Sequence, residues 1–194
     1  MVNRLDILLY LIRRHYSLHG KLYGRKKLQK LLFLVEHLNP ATGKLTRSSG
    51  ATGYRFIIWL YGPFSREIYT DLERLEDEGL VNEEVVSGET TPRFQGLNML
   101  LYEDDGTPKV IYIYTPRTPH RRLMRFRVPV GRSSEAVNLP TPVRKRIDYV
   151  LERYGHMNGT QLEQEVLRML KLTPEKKMKY MYRLVDEYIV NEIP

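Results

Sequence analysis

Between Gly24 and Val81 the chain changes hydrophobic period twice, and this constrains its fold more than any other feature. From Gly24 to Leu38, Leu28, Leu31, Leu32 and Val35 recur at the i, i+3, i+4, i+7 spacing of one buried helical face. Lys26, Lys27 and Lys30 occupy the other face, with Arg25 in the first turn. Asn39-Pro40 ends this helix, because a residue before proline disfavours the helical region. Residues 39–53 (NPATGKLTRSSGATG) show no period and read as a loop. Tyr54–Tyr61 is aromatic and branched, apolar on both faces, and predicts a strand broken at Gly62-Pro63. Ser65 then offers an N-cap to a helix that buries Ile68, Leu72 and Leu75 and stops near Gly79.

The flanking sequence extends this frame. Asn3–Tyr16 predicts a first helix with Leu5, Leu8, Leu9 and Ile12 buried. From Leu80 the period becomes two, and Leu97–Tyr102 and Lys109–Thr115 flank the turn signal at 103–108. A further strand is predicted at Leu123–Val130, bordered and interleaved by arginines. Thr141-Pro142 opens a helix to about Tyr154, Thr160-x-x-Glu163 has the form of a capping box, and Thr173-Pro174 opens a last helix through Met178, Met181, Val185 and Ile189. A helix ending L-x-x-L-x-x-x-G-L-V before β-like sequence is the entry to the wing of a winged-helix unit. The expected class is therefore α+β: winged-helix-like N-terminal helices with a small antiparallel sheet, and a C-terminal helical extension. The expected divisions are 1–115 for the winged-helix-like part with its wing hairpin, 116–138 for an arginine-rich strand and connector, and 139–194 for three helices packed on the first part.

Charge is distributed unevenly. Residues 1–61 carry 11 Lys/Arg against 2 acids, 62–115 carry 4 against 12, 116–153 carry 10 against 3, and 154–194 balance at 6 each. Two basic blocks bracket an acidic one, a pattern that either draws polyanions to particular surfaces or neutralises itself within the fold. Cysteine is absent, which excludes disulfides, thiol nucleophiles and cysteine-bound zinc. No apolar run approaches the roughly 20 residues of a membrane span. Ile7–Ile12 is too short for a signal-peptide core, so a cytoplasmic location is expected.

Catalytic chemistry finds little support. His15 and His19 stand at i, i+4 with no third ligand in view and read as a surface pair. His37, His120 and His156 are isolated, the acids of 71–78 read as solvated, and no phosphate-binding glycine motif occurs. No enzymatic activity, metal or cofactor is expected. Tyr112 and Tyr114 share a strand face that could stack on bases or pack in a sheet, and Trp59 is read as core.

The pairing of GRKKLQKLLFL with YRFIIWLYGPFSREIYTDLERLEDEGLV resembles the YwgA-like prokaryotic proteins. It is similar, more distantly, to Panacea-type domains, which include antitoxins and a proteolytic adaptor. The resemblance covers roughly residues 5–81, and the Tyr-Gly-Pro-Phe-Ser turn is its most specific element. It implies a helical, winged-helix-like domain acting through protein or nucleic-acid contacts. One departure is that about 15 loop residues and a strand separate the second and third helices, where a DNA-reading helix-turn-helix has a turn of about 3–4. The third helix is also net acidic, which phosphates would repel. The expected function is a non-enzymatic module binding DNA or RNA through Arg25, Lys26, Lys27, Lys30, Arg121, Arg122, Arg125 and Arg127. The alternative is a protein-interaction adaptor of antitoxin type using the acidic helix 65–78, with Glu73, Glu76 and Asp77, together with the wing. A dimer is compatible with either reading.

Overall fold

The computed structural model describes residues 3–87, 110–117, 120–123, 126–129, 137 and 139–193. Among them are seven helices and seven short strands, so the α+β class holds. In chain order they are α1 (Arg4–His19), β1 (Leu22–Tyr23), α2 (Arg25–His37), β2 (Ile57–Trp59), β3 (Gly62–Phe64), α3 (Glu67–Asp77), β4 (Val81–Ser87), β5 (Val110–Pro116), β6 (His120–Leu123), β7 (Phe126–Pro129), α4 (Thr141–Tyr154), α5 (Gly159–Leu170), α6 (Pro174–Lys179) and α7 (Val185–Glu192).

α2 is the axis of the molecule. Its leucines were expected inside, but its whole circumference is covered, by α4 and α5 with β1 and β3 closing the rest. Leu28, Leu31, Leu32, Phe33, Leu34 and Val35 are sealed from solvent, and so are Lys27, Gln29, Lys30, Glu36 and His37. α1 packs against α3, β5 and α4, and supplies Ile7, Leu8, Leu11 and Ile12 to the same core. Asn3 caps α1 by accepting from the Leu5 amide at 3.1 Å, and Gly20 ends it with φ of 76°.

The three-stranded sheet has the order β1–β5–β4, all antiparallel. Leu22 and Tyr23 of β1 sit opposite Tyr114 and Ile113, while β4 pairs with β5 from Val81 opposite Pro116 to Ser87 opposite Val110. The last strand in sequence thus lies between the other two, and α3 leads directly into the sheet edge. The expected strand Leu97–Tyr102 and the turn at 103–108 lie outside the described residues.

Several expectations are corrected. The strand read over Tyr54–Tyr61 is only Ile57–Trp59, and Gly62-Pro63 continues into β3 instead of ending the element. Leu60-Tyr61 is the turn of a hairpin with Ile57 opposite Phe64 and Trp59 opposite Gly62. Ser65 does not cap α3: the cap position is Arg66, without a side-chain bond. Gln29 instead takes both backbone groups of Ser65, at 2.8 and 2.9 Å, and the Ser65 hydroxyl donates to Glu67. The capping box of α5 is Asn158 with Gln161, two residues earlier than the Thr160–Glu163 pair.

The last predicted helix is two helices, so the tail holds four among the described residues instead of three. Thr173 does cap α6, but the chain then breaks to run along the free edge of β2. Ile58 donates to the Arg183 carbonyl, Tyr182 donates to the Ile58 carbonyl, and Val185 donates to the Phe56 carbonyl, each at 2.9 Å. Tyr182 adopts φ of 67°, a left-handed conformation that interrupts the helix. The predicted strand Leu123–Val130 is the β6–β7 hairpin, in which Arg122 lies opposite Arg127 and Arg121 opposite Val128.

Candidate interaction surface

The basic side chains of α2 were expected at the surface, as phosphate contacts or as a solubilising face. The structure turns them inward. Lys27 Nζ donates to the Gly155 carbonyl at 2.6 Å, and Lys30 Nζ donates to the Pro63 carbonyl at 2.8 Å. Burial pushes the Lys27 amine down to about 8 and the Lys30 amine down to about 7. Lys26 is only partly covered and is neutralised by Glu163 at 2.6 Å. Arg25 lies between the rings of Tyr112 and Tyr69, 3.7 and 5.1 Å from their centroids, and binds Glu83 at 3.0 Å and the Tyr114 hydroxyl at 3.2 Å. The four residues therefore tie α2 to α4, β3, α5 and the sheet, and do not form one exposed basic face.

The same contacts revise the tyrosines. Tyr114 is buried and Tyr112 is covered by Arg25, so neither presents a free face for a base. In the second basic block the backbone of Arg121, Arg122 and Arg127 lies in the β6–β7 hairpin, and Arg125 lies outside the described residues.

α3 divides its acids by face. Asp71 is buried, accepting from the Tyr54 hydroxyl at 3.0 Å and pairing with Arg4 at 3.2 Å. Glu67 also pairs with Arg4, at 3.5 Å, and this locks α3 to α1. The reading of the acids of 71–78 as solvated fails for Asp71. Glu73, Glu76 and Asp77 behave differently: each is exposed, and none enters an ion pair among the described residues. Ile68, Leu72 and Leu75 fix their orientation by anchoring the opposite side of the helix. The result is a ridge of carboxylates without an ion-pair partner among the described residues, one turn beyond the half-buried Tyr69.

Two polar centres, one buried and one half-buried, escaped the sequence reading. Glu36, on the inner end of α2, receives the Ser48 hydroxyl at 2.6 Å, the Gly50 amide at 2.5 Å, the Thr52 amide at 2.6 Å and the Thr52 hydroxyl. Burial would raise this carboxyl, but the hydroxyl and amide donors prevail and hold it below the ordinary carboxylate range. The one acid of α2, placed directly after the apolar run Leu31–Val35 and followed by a loop of Gly, Ser and Thr, was the available signal. Arg146 of α4 is the second centre, and it donates to the carbonyls of Val35, Leu38 and Glu36 at 2.5, 2.6 and 3.3 Å.

The histidines serve the frame as well. His15 is buried, not at the surface, and burial followed by the nearby Lys27 charge pushes it down to about 4. His19 meets the Leu151 carbonyl at 2.9 Å. His37 stacks on Phe33, meets the Thr46 carbonyl at 3.1 Å, and is lowered chiefly by burial. Among the described residues no three His, Asp or Glu side chains converge as metal ligands, and no helix is long and apolar enough to cross a membrane.

Trp59, read as core, stands half-exposed, with the ring of Tyr182 4.7 Å away and edge-on. From it a row of rings continues to Phe64 at 6.3 Å and on to Tyr69 of α3 at a further 5.6 Å.

A family model described as antitoxin SocA-like, Panacea domain, matches residues 28–167, from α2 through α5. No curated protein and no solved structure matches the chain.

Proposed function

Since the chain belongs to the SocA-like antitoxin family of Panacea domains, we propose that it is a non-catalytic protein-binding module that docks a basic partner on the acidic ridge of α3. Glu73, Glu76 and Asp77 are the contact residues; the family description suggests a toxin protein as the partner class, and charge complementarity with α3 calls for Lys and Arg on its surface. The observation that carries this reading is the fate of the two charge sets. The α2 cations are engaged within the fold, while Glu73, Glu76 and Asp77 are exposed, without an ion pair among the described residues, and held by a helix anchored on its other side. Unneutralised charges at a rigid surface steer association and select the partner's sign.

The winged-helix-like reading is supported by the order α1, β1, α2, α3, β4, β5, interrupted by the β2–β3 hairpin between α2 and α3, with β5 between β1 and β4. Nucleic-acid binding loses one of its two candidate surfaces with the internal engagement of α2, and α3 is acidic.

The test is co-purification with the tagged chain from its own cells, compared with a Glu73→Lys, Glu76→Lys, Asp77→Lys variant. Cross-linking mass spectrometry then maps the contact. The expected result is a protein partner retained after nuclease treatment, cross-linked to α3, and lost with the variant. Nuclease-sensitive material, or a partner held equally by the variant, would overturn the reading.

A further inference from the structure

We propose that the aromatic surface formed by the β2–β3 turn and the α6–α7 connection is a second docking site, and that it receives a short acidic segment of a partner protein anchored by an aromatic or long aliphatic side chain. The surface joins two distant parts of the chain. Leu60 and Tyr61 come from the hairpin turn, and Met178 and Tyr182 come from the tail, with exposures of 51, 57, 71 and 64%. Single exposed apolar residues are ordinary, whereas four gathered beside a half-exposed tryptophan mark a contact surface. Edge pairing with β2 holds the two parts together: Tyr182 donates to Ile58, and Lys177 Nζ donates to the Leu60 carbonyl at 2.9 Å.

Tyr182 carries a second signal. Its φ of 67° is disfavoured for a residue with a side chain, yet that conformation delivers the exposed ring to the edge of Trp59. Backbone strain maintained at an exposed aromatic points to use of the ring. Met178 beside it is unbranched and polarizable, suited to following the shape of an incoming side chain.

Charge selects the occupant. Between residues 174 and 184, Glu175 is the one acid against Lys176, Lys177, Lys179 and Arg183. Glu192 takes Lys176 and Lys179, at 2.9 and 3.1 Å. Lys177 and exposed Arg183 have no carboxylate partner among the described residues, so the patch keeps positive charge. At the far end of the ring row stand Tyr69 and, one turn on, Glu73, whose carboxylate repels acids and bounds the site on that side. That boundary, and the small number of free cations, favour a short peptide over a nucleic-acid strand, which needs a continuous basic track. The segment is opposite in sign to the one proposed for α3, so the two surfaces do not compete for one ligand.

The experiment pans a phage-displayed random peptide library on the full chain. Enriched sequences, synthesised without tryptophan, are titrated by anisotropy and by emission of Trp59, the only tryptophan present. The expected peptides are net negative with a Phe, Tyr or Leu anchor, and saturation shifts the Trp59 emission. The Leu60→Ser, Tyr61→Ser pair and, separately, Arg183→Glu should each weaken binding at least about tenfold with unchanged circular dichroism, since all three side chains are exposed. Glu73→Lys, Glu76→Lys, Asp77→Lys should leave affinity equal or tighter, which separates this site from the α3 reading. Enrichment of basic peptides or of none, binding without a Trp59 response, or an oligothymidylate producing that response would overturn the proposal.

Discussion

Lys27 and Arg146 perform one task at opposite ends of the same antiparallel helix pair. Lys27, at the start of α2, donates to the Gly155 carbonyl at the end of α4. Arg146, in α4, donates to the carbonyls of Val35, Glu36 and Leu38 at the end of α2. The last carbonyls of a helix have no partner within it and carry the negative end of its dipole. Buried here, they have cations in place of water.

Arg146→Met should therefore cost about 3 kcal/mol, because the Val35 and Leu38 carbonyls lose their donor together, while the Glu36 carbonyl keeps the Ser49 amide and hydroxyl. Lys27→Met, which orphans one carbonyl and also removes a buried charge, should cost less, about 1 kcal/mol. Urea denaturation of the two variants measures both, and equal losses would show that the guanidinium fork is not what holds the α2 end.

Stability should rise with pH above neutrality because of Lys30. Its folded amine is pushed down to about 7, while an unfolded lysine holds its proton to about 10.4. Between those values the unfolded chain binds the extra proton, so raising the pH favours the fold, and the penalty is fully present below 7. The gain from this one group is about 2 kcal/mol between pH 7 and pH 9. Lys30→Met should remove that share of the slope in urea titrations at the two pH values, and a slope unchanged by the substitution would refute it.

Glu36 sets the acid limit. Its folded carboxyl lies below the ordinary range, so its contribution is present above the unfolded carboxylate pKa and is lost as pH falls through the depressed folded value. Glu36→Gln replaces an acceptor of five donors with an amide that brings donors of its own. It should cost about 2–4 kcal/mol and free residues 46–53 to hydrogen exchange while α1 stays protected.

Gly62→Ala should loosen the hairpin. Gly62 has φ of 81°, and a methyl there would come within 2.9 Å of Leu167 Cδ2. Strain and overlap together should cost about 2 kcal/mol or more. The Trp59 emission should change with it, since Trp59 is the residue paired with Gly62.

Much of this frame was legible. The apolar spacing of α1, α2 and α3 located each helix to within a few residues, because large apolar side chains repeated along one face leave a 3.6-residue record even where, as in α2, the polar face is covered too. The lysines of α2 were not legible in the same way. Whether Lys27 faces water or the end of another helix depends on α4, more than 110 residues later, and no local pattern encodes it. The tail failed for the same reason: 173–189 is helical by period, but pairing of Arg183 with Ile58 overrides it. Glu73, Glu76 and Asp77 were placed correctly at the surface, whereas Asp71, of the same charge and helix, was drawn inside by Tyr54 and Arg4.

The pairing of Ile58 with Arg183 also sets a clock. The two residues are 125 positions apart, so the outer edge of β2 stays open while the intervening chain is made. At about 5–20 residues per second that wait lasts roughly 6–25 s on the ribosome. Throughout it Trp59, Leu60 and Tyr61 stand beside an unpaired strand edge, the kind of surface that chaperones hold and that aggregates recruit. The nascent protein is thus most vulnerable at the same hairpin that, once residues 181–185 arrive, carries its most exposed aromatic surface.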